Sequence, residues 1–149
     1  MKASLRMLVI LGLSAAVLVL VPISKPGAFA VRASSGCTNA NLSGSYGLAF
    51  SGFQRQHQGS VAFYGGGLAI ADGGGNFAAT FADSVNGVSS TNNAYTATYT
   101  VNADCTLSIN ATPGSGGDNF VGVIVNGGVE ILATDISAND TLNLDLKRQ

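Results

Sequence analysis

The clearest pattern of apolar and polar positions in the chain lies between Tyr95 and Val101. The threonines of this stretch share one face, and the other face carries Tyr95, Ala97, Tyr99 and Val101. Alternation with a period of two residues is typical of a β-strand that has one buried and one solvent-facing side. A short turn then leads to Cys105. The stretch therefore predicts a strand near the middle of an all-β domain.

Seven further segments show a strand pattern, and no segment after residue 30 has the 3.6-residue period of an amphipathic helix. The glycines at 65–67 interrupt the second strand and predict a bulge or a sharp bend there. The polar residues at 85–93 predict the longest loop. The eight predicted strands span residues 46–51, 61–70, 77–81, 95–101, 105–110, 120–125, 129–134 and 141–146.

The connections between the predicted strands are mostly short, which favours antiparallel pairing of neighbours. The dipeptide formed by Asn126 and Gly127 favours a type I′ hairpin turn. Eight such strands close readily into a barrel, because closure removes unpaired edges. We therefore predict an all-β fold, an eight-stranded antiparallel up-and-down β-barrel. A β-sandwich is the alternative, because periodicity alone does not distinguish a closed sheet from two stacked ones.

The first 30 residues have the order of a secretory signal peptide. Lys2 and Arg6 precede an apolar run at 7–21, and Ala28, Phe29 and Ala30 form a cleavage motif of the A-x-A type. The run has 15 residues, whereas a membrane-spanning helix needs about 20. We predict cleavage near Ala30 and a secreted or periplasmic protein that has no stable membrane insertion after cleavage.

Two cysteines remain in the mature chain, Cys37 and Cys105. Export would place them in an oxidising compartment, where a pair of cysteines is expected to form a disulfide. We predict that this bond pins the start of the mature chain to the fold. The predicted organisation is a signal peptide at 1–30, a lead-in pinned by the disulfide at 31–44 and a β-barrel domain at 45–149.

Charged residues are few, and the balance after residue 30 is acidic. Four basic side chains stand against eight acidic ones, which gives a net charge of −4. The basic residues are scattered, so the composition does not support binding to nucleic acid or to an anionic membrane. One histidine and two cysteines do not provide a conventional zinc site. We predict no metal and no cofactor, and the sequence leaves the oligomeric state open.

Glu130 is the candidate for chemistry, although the sequence assigns no catalytic residue. It is the only glutamate, and it lies inside an apolar strand. In a barrel lumen, desolvation would raise its pKa and make it an acid or a ligand anchor. On the outside, which is the commoner case, it would be a solubilising charge. Tyr46, Tyr95 and Tyr99 form an aromatic set that can line a pocket mouth together with Glu130 or pack in the core.

Several turn and disulfide motifs resemble those of a group of small exported bacterial proteins of unknown function. The motifs are CTNANLSGSYG at 37–47, ADGGGNF at 71–77, YTVNADC at 99–105 and VEIL at 129–132, with KRQ at the end. The barrels of that group are similar to the allene oxide cyclase and dirigent type. The resemblance implies an eight-stranded barrel with a central cavity. In cyclases of that type the cavity holds a reactive substrate in shape, assisted by a glutamate, and Glu130 is the matching residue here.

Three functions follow as hypotheses. The first is a non-catalytic exported barrel that binds a small apolar molecule. The second is a cyclase or isomerase that uses the cavity as a template, and the third is a structural or adhesive surface domain. An open lumen would favour the first two hypotheses. A core packed solid by the leucines and by Phe50, Phe63, Phe77 and Phe81 would favour the third.

Overall fold

In a computed structural model, the described part of the chain is all-β, and its eight antiparallel strands form one closed barrel. The structure describes residues 36–149 except 58, 116 and 139, so the predicted signal peptide lies outside the described residues. A 3₁₀ turn at Asn39–Asn41 precedes the barrel. The described part of the chain contains no helix that is long and apolar enough to cross a membrane. The strands are β1 (Ser43–Gln56), β2 (Gly59–Asp72), β3 (Asn76–Val85), β4 (Val88–Val101), β5 (Thr106–Ala111), β6 (Phe120–Val125), β7 (Glu130–Asp135) and β8 (Asp140–Arg148).

The barrel closes because its first and last strands pair with each other. β1 pairs with β2 along its whole length and with β8 from Tyr46 to Gln54. Every other strand pairs with its neighbours in sequence. The predicted up-and-down barrel is therefore confirmed. The sandwich alternative is wrong, because a sandwich would leave edge strands whose backbone groups are unpaired.

Side-chain alternation places the core inside the barrel. On β4 the alternating residues Tyr95, Ala97, Tyr99 and Val101 are buried, and the threonines between them are exposed. Successive side chains of a strand point to opposite faces of the sheet, so the inward set on each strand forms one wall of the lumen. The strand prediction for this stretch is confirmed.

The glycines of β2 leave room for aromatic side chains and do not form a bulge. Pairing of β2 with both neighbouring strands is continuous through residues 65–67, so the predicted bulge is wrong, whereas the alternative of a sharp bend stays a prediction. A Cβ atom at Gly65 would overlap the ring of Phe50, and one at Gly67 would crowd the backbone and Cβ of Phe81. The absence of side chains at these positions therefore lets two phenylalanines extend across the interior.

The polar segment at 85–93 forms a hairpin, so the long loop predicted there is wrong. β3 continues to Val85 and β4 begins at Val88. The turn between them is formed by Asn86 and Gly87, which have φ angles of 49° and 82°, as Asn-Gly hairpin turns require. Residues 88–92 are exposed on both faces of the hairpin. Because neither face is buried, the segment lacks the alternation that identifies a strand.

The lead-in closes one end of the barrel. Cys37 and Cys105 form the predicted disulfide, with Cα atoms 5.0 Å apart and a sequence separation of 68. The side-chain oxygen of Asn39 accepts a hydrogen bond of 2.8 Å from the backbone N–H of Val101. The Leu42 side chain is fully buried. This end of the lumen is therefore filled by the chain itself.

Candidate functional site

The opposite end of the lumen contains a cavity of about 370 Å³. Inward-facing positions of β1, β2, β3, β4, β6 and β8 form its walls. Aromatic rings form one part of the lining, and leucines on β1 and β8 lie beside them. The rings belong to Phe50, Phe63, Phe77, Phe81, Tyr95 and Phe120. Such a lining suits an apolar molecule, because pockets for small ligands are typically lined by hydrophobic and aromatic side chains with a few polar groups.

The aromatic rings of the cavity wall hold one another in place. Phe50 packs edge-to-face against Phe63 and Phe81, with ring centroids 5.2 and 5.4 Å apart. Phe77 and Tyr95 form a third pair with centroids 6.1 Å apart. Each such pair is worth about 0.5–1.5 kcal/mol beyond the burial of its surface. One hypothesis from the sequence had these phenylalanines filling the core. In the structure they pack against one another and line an open cavity.

Polar side chains surround the mouth of the cavity. The Asp83 carboxylate accepts a hydrogen bond from the Ser90 hydroxyl, and the Asn93 side-chain amide donates to the same hydroxyl at 2.7 Å. This chain of hydrogen bonds ties the β3–β4 hairpin together beside the cavity. The polar residues that line the mouth are Gln54, Asp83, Asn93, Ser115, Asp118 and Asp140.

Three carboxylates meet at one side of this mouth. Asp118 lies between β5 and β6, Asp135 ends β7 and Asp140 begins β8. One oxygen of each carboxylate lies within 4.8 Å of the others. Asp135 Oδ2 and Asp140 Oδ1 are buried from solvent and have no hydrogen-bond partner among the described residues. Carboxylate oxygens at this spacing can share one cation, and without one they repel each other.

The surroundings of Asp118 raise the pKa of its carboxyl. Burial raises the pKa of this carboxyl from 3.8 to about 6, and the charges of Asp135 and Asp140 add to the increase. A hydrogen bond with Ser137 acts in the opposite direction and lowers the pKa. Both protonation states of Asp118 are therefore accessible close to neutral pH. Perturbed carboxyls in a cleft are candidates for functional groups.

Tyr95 fixes the segment that carries Asp118. Its hydroxyl donates a hydrogen bond of 2.7 Å to the backbone carbonyl of Asp118. A Cβ atom at Gly117 would overlap the Tyr95 ring, so the glycine lets the backbone lie directly on that ring. Burial, assisted by the charge of Asp118 and then of Asp135, raises the pKa of Tyr95 well above its usual range. Tyr95 is therefore a neutral hydrogen-bond donor that positions Asp118.

Within the part of the chain that the structure describes, no basic side chain forms an ion pair with the three carboxylates. Arg55 is exposed near the tip of the β1–β2 hairpin, and Lys147 and Arg148 lie at the end of β8, on the closed side of the barrel. Among the described residues, the ion pairs of Lys147 are to Glu130 and Asp145, and no ion pair reaches the carboxylate cluster. The mouth of the cavity is therefore strongly acidic.

Two of the predicted site tyrosines lie at the closed end. The Tyr46 ring is fully buried, its hydroxyl donates to the carbonyl of Gly128 at 3.1 Å, and it accepts a hydrogen bond of 2.9 Å from Arg148. The Tyr99 hydroxyl donates to the carbonyl of Leu42 at 2.6 Å. Both side chains brace the closed end. Of the three tyrosines, Tyr95 is the one that lines the cavity.

Glu130 lies on the outer face of β7. Its neighbours Ile131 and Ala133 are buried inside, and Leu132, on the same face as Glu130, is 45% exposed. The Glu130 carboxylate is 3.6 Å from the ammonium group of Lys147. This position corresponds to the outward alternative, and Glu130 is not among the residues that line the cavity.

Sequence reasoning missed the acidic cluster. Asp135 and Asp140 have the strand parity of Ala133 and Leu142, which are buried inside the barrel. Their inward position was therefore predictable from alternation. The position of Asp118 was not predictable in this way. It lies in the connection between β5 and β6, where side chains do not alternate between two faces of a sheet.

Comparison with known proteins does not assign the chain to a family. No protein-family model matches the chain, and no curated protein is significantly similar to it. Function must therefore be inferred from the cavity and its acidic mouth.

Proposed function

We propose that this protein is an exported, non-catalytic β-barrel that binds a small apolar molecule in the open end of its lumen. The observation that carries the proposal is the aromatic-lined cavity of about 370 Å³. Ligand pockets typically occupy roughly 300–1,000 Å³. An apolar guest gains about 25 cal/mol for each Å² of its surface that leaves water. The lumen therefore has both the size and the lining that such a guest needs.

The closed end of the barrel supports this function by making the cavity rigid. The disulfide between Cys37 and Cys105 and the hydrogen bonds of Tyr46 and Tyr99 fix the lead-in and the lower wall. A preorganised site loses less conformational entropy when it binds. The packed half of the lumen is thus the scaffold, and the open half is the site.

Export is part of the proposal. The first 30 residues have the order of a signal peptide, and a disulfide fits an oxidising compartment. Mass spectrometry of the protein recovered from its native host should find a mature chain that begins near Val31. A chain that retains Met1 and the apolar run would contradict export by cleavage.

The binding proposal is tested with N-phenyl-1-naphthylamine, a neutral apolar dye whose fluorescence rises in apolar surroundings. The wild-type protein should bind the dye saturably. Ala79 lines the cavity, so Ala79→Phe should fill part of it and abolish binding. Ala78 is exposed on the outer face of the same strand, and Ala78→Phe should bind the dye like the wild type.

The paired variants separate loss of the cavity from loss of the fold. Circular dichroism and the melting temperature should show that both variants are folded. Undiminished dye binding by folded Ala79→Phe would place the dye elsewhere and would overturn the proposal. Absence of saturable binding by the wild type would favour the structural or adhesive alternative.

A second candidate is a cyclase or isomerase, and one observation favours it. Asp118 lies at the cavity mouth with a pKa of about 6, which suits a general acid or base near neutral pH. We also propose kinship with barrels of the allene oxide cyclase and dirigent type, on the basis of the motifs at 37–47, 71–77 and 99–105. Molecules bound to the natively exported protein can be extracted and incubated with fresh protein. Unchanged mass and chromatographic retention would exclude turnover of those molecules, whereas an isomerised product would establish it.

A further inference from the structure

We propose that the cavity selects an amphiphile with a positively charged amine, whose apolar part lies against the aromatic wall and whose ammonium group lies at Asp118, Asp135 and Asp140. The inference rests on the proposed function, since it names the class of ligand for the same cavity. It depends on the position, the unmet hydrogen-bonding capacity and the surroundings of the three carboxylates.

The carboxylates lie directly beside the apolar wall. Asp118 is two residues before Phe120, and Asp140 is two residues before Leu142, and all four side chains line the cavity. Two residues along a strand correspond to roughly 7 Å. A ligand whose charge lies a few bonds from its apolar chain therefore fits both surfaces at once.

The carboxylate oxygens have unmet hydrogen-bonding capacity. Asp135 Oδ2 and Asp140 Oδ1 are buried without a hydrogen-bond partner among the described residues. A protonated primary amine offers three N–H donors and a positive charge. With one oxygen of each carboxylate within 4.8 Å of the others, one ammonium group can serve the cluster. Its charge would also relieve the mutual repulsion of the carboxylates.

The surroundings favour an organic cation over a metal ion. Calcium takes six to eight oxygen ligands, and the cluster brings together three carboxylates. The wall below the cluster consists of aromatic rings such as Phe120 and Tyr95. Aromatic faces attract organic cations and also accept their apolar carbon atoms. An amine with an apolar chain therefore uses the whole cavity, whereas a metal ion would use only its rim.

The remaining charges of the mouth reinforce this preference. Asp83 adds a third carboxylate to the lining of the cavity, beside Asp118 and Asp140. Arg55 and His57, in the β1–β2 hairpin, are exposed to solvent, so the charge of Arg55 is screened by water and salt. An anionic ligand would meet the acidic lining, and no described residue of the wall is a cation that could receive it. The mouth thus discriminates by the sign of the ligand's charge.

The test compares three ligands that each have eight carbon atoms in a straight chain. Octylamine, octanol and octanoate are titrated at neutral pH into wild-type protein that holds N-phenyl-1-naphthylamine, and displacement of the dye is measured. Octylamine should displace the dye at a concentration about tenfold lower than octanol, which is the usual gain from a charge-assisted hydrogen bond. Octanoate should be the weakest competitor.

Variants locate the source of the preference. Asp118→Asn and Asp140→Asn should each shrink the advantage of octylamine over octanol severalfold. Glu130→Gln removes the same charge from the outer wall and should keep the full advantage. Loss of the advantage in Glu130→Gln but not in the aspartate variants would overturn the assignment.

The possible results separate this inference from the proposed function. Dye binding with equal displacement by octylamine and octanol would overturn the amine preference and leave the apolar site intact. Failure of the wild type to bind the dye would overturn both. Calcium chloride is the control for a metal site. If calcium raised the melting temperature of the wild type but not of Asp118→Asn, and octylamine had no advantage, the cluster would be a metal site and the inference would be wrong.

Discussion

Replacement of Asp118 by asparagine should make the protein more stable at neutral pH. The pKa of Asp118 is raised from 3.8 to about 6 by burial and by the charges of Asp135 and Asp140. A carboxyl whose pKa is higher in the folded state contributes most to stability below pH 3.8, and this contribution is lost as the pH rises to about 6. Asparagine is neutral at every pH and avoids the loss. The hydrogen bond from Tyr95 is to the backbone carbonyl of residue 118, so the substitution preserves it.

The size of the effect follows from the pKa. A tenfold change in proton affinity corresponds to about 1.4 kcal/mol, so the full difference at Asp118 would be about 3 kcal/mol. The side chain is half-buried, and solvent screening reduces the expected gain to about 1–1.5 kcal/mol at pH 7.5. The native aspartate would therefore lower the free energy of unfolding relative to asparagine. Native residues that lower stability are typical of functional sites, where the requirements of stability and activity conflict.

Urea unfolding with the disulfide intact measures the effect. The difference in free energy of unfolding between Asp118→Asn and the wild type should be near zero at pH 3.5 and positive at pH 7.5. Taking this difference at each pH cancels the titration of the carboxyls that do not interact with Asp118. Glu130→Gln removes a charge that is paired with Lys147 and should give no gain at either pH. A variant less stable than the wild type at pH 7.5, or a gain independent of pH, would refute the reasoning.

Three further predictions concern the scaffold. Reduction of the disulfide between Cys37 and Cys105 should lower the melting temperature by about 10 °C or more, since the bond closes a long loop worth on the order of 4 kcal/mol; free thiols in the native protein would contradict it. Asp72→Ala should destabilise the protein at pH 7 but little below pH 2, because hydrogen bonds from Asn76 and Gly74 lower the pKa of Asp72 to about 2; equal losses in chemical unfolding at both pH values would disprove this. Gly65→Ala should cost about 1–3 kcal/mol in urea unfolding through overlap with Phe50, and unchanged stability would be inconsistent with that packing.

The barrel was predictable wherever a strand has one buried and one exposed face. On β4 the buried Tyr99 alternates with exposed threonines, and this contrast identifies both the strand and its orientation. The pattern fails where both faces share one environment. Residues 88–92 are exposed on both faces, so a hairpin strand resembles a loop. In the sequence, Gly65 predicts a bulge because its actual role is not visible locally. The glycine makes room for the ring of Phe50, which belongs to a different strand.

The candidate site was predictable only in part, because its position along the lumen depends on tertiary packing. Tyr46 and Tyr99 face inward as Tyr95 does, but the lead-in packs beneath them and places them in the filled half. Glu130 attracted attention because it is the only glutamate, whereas strand parity puts it outside. The acidic cluster forms where the connection that carries Asp118 lies close to the end of β7 and the start of β8. The closed barrel, and not the local sequence, brings these three segments together.

The most direct test of the ligand site is an amide NMR titration of the isotope-labelled protein with octylamine. Shifts should concentrate at residues around the cavity, such as Gly117, Phe120 and Leu142. The closed end, represented by Leu107, should remain unchanged. Shifts confined instead to the exposed apolar pair of Val123 and Leu132 on the outer wall, or to the closed end, would contradict a binding site in the lumen.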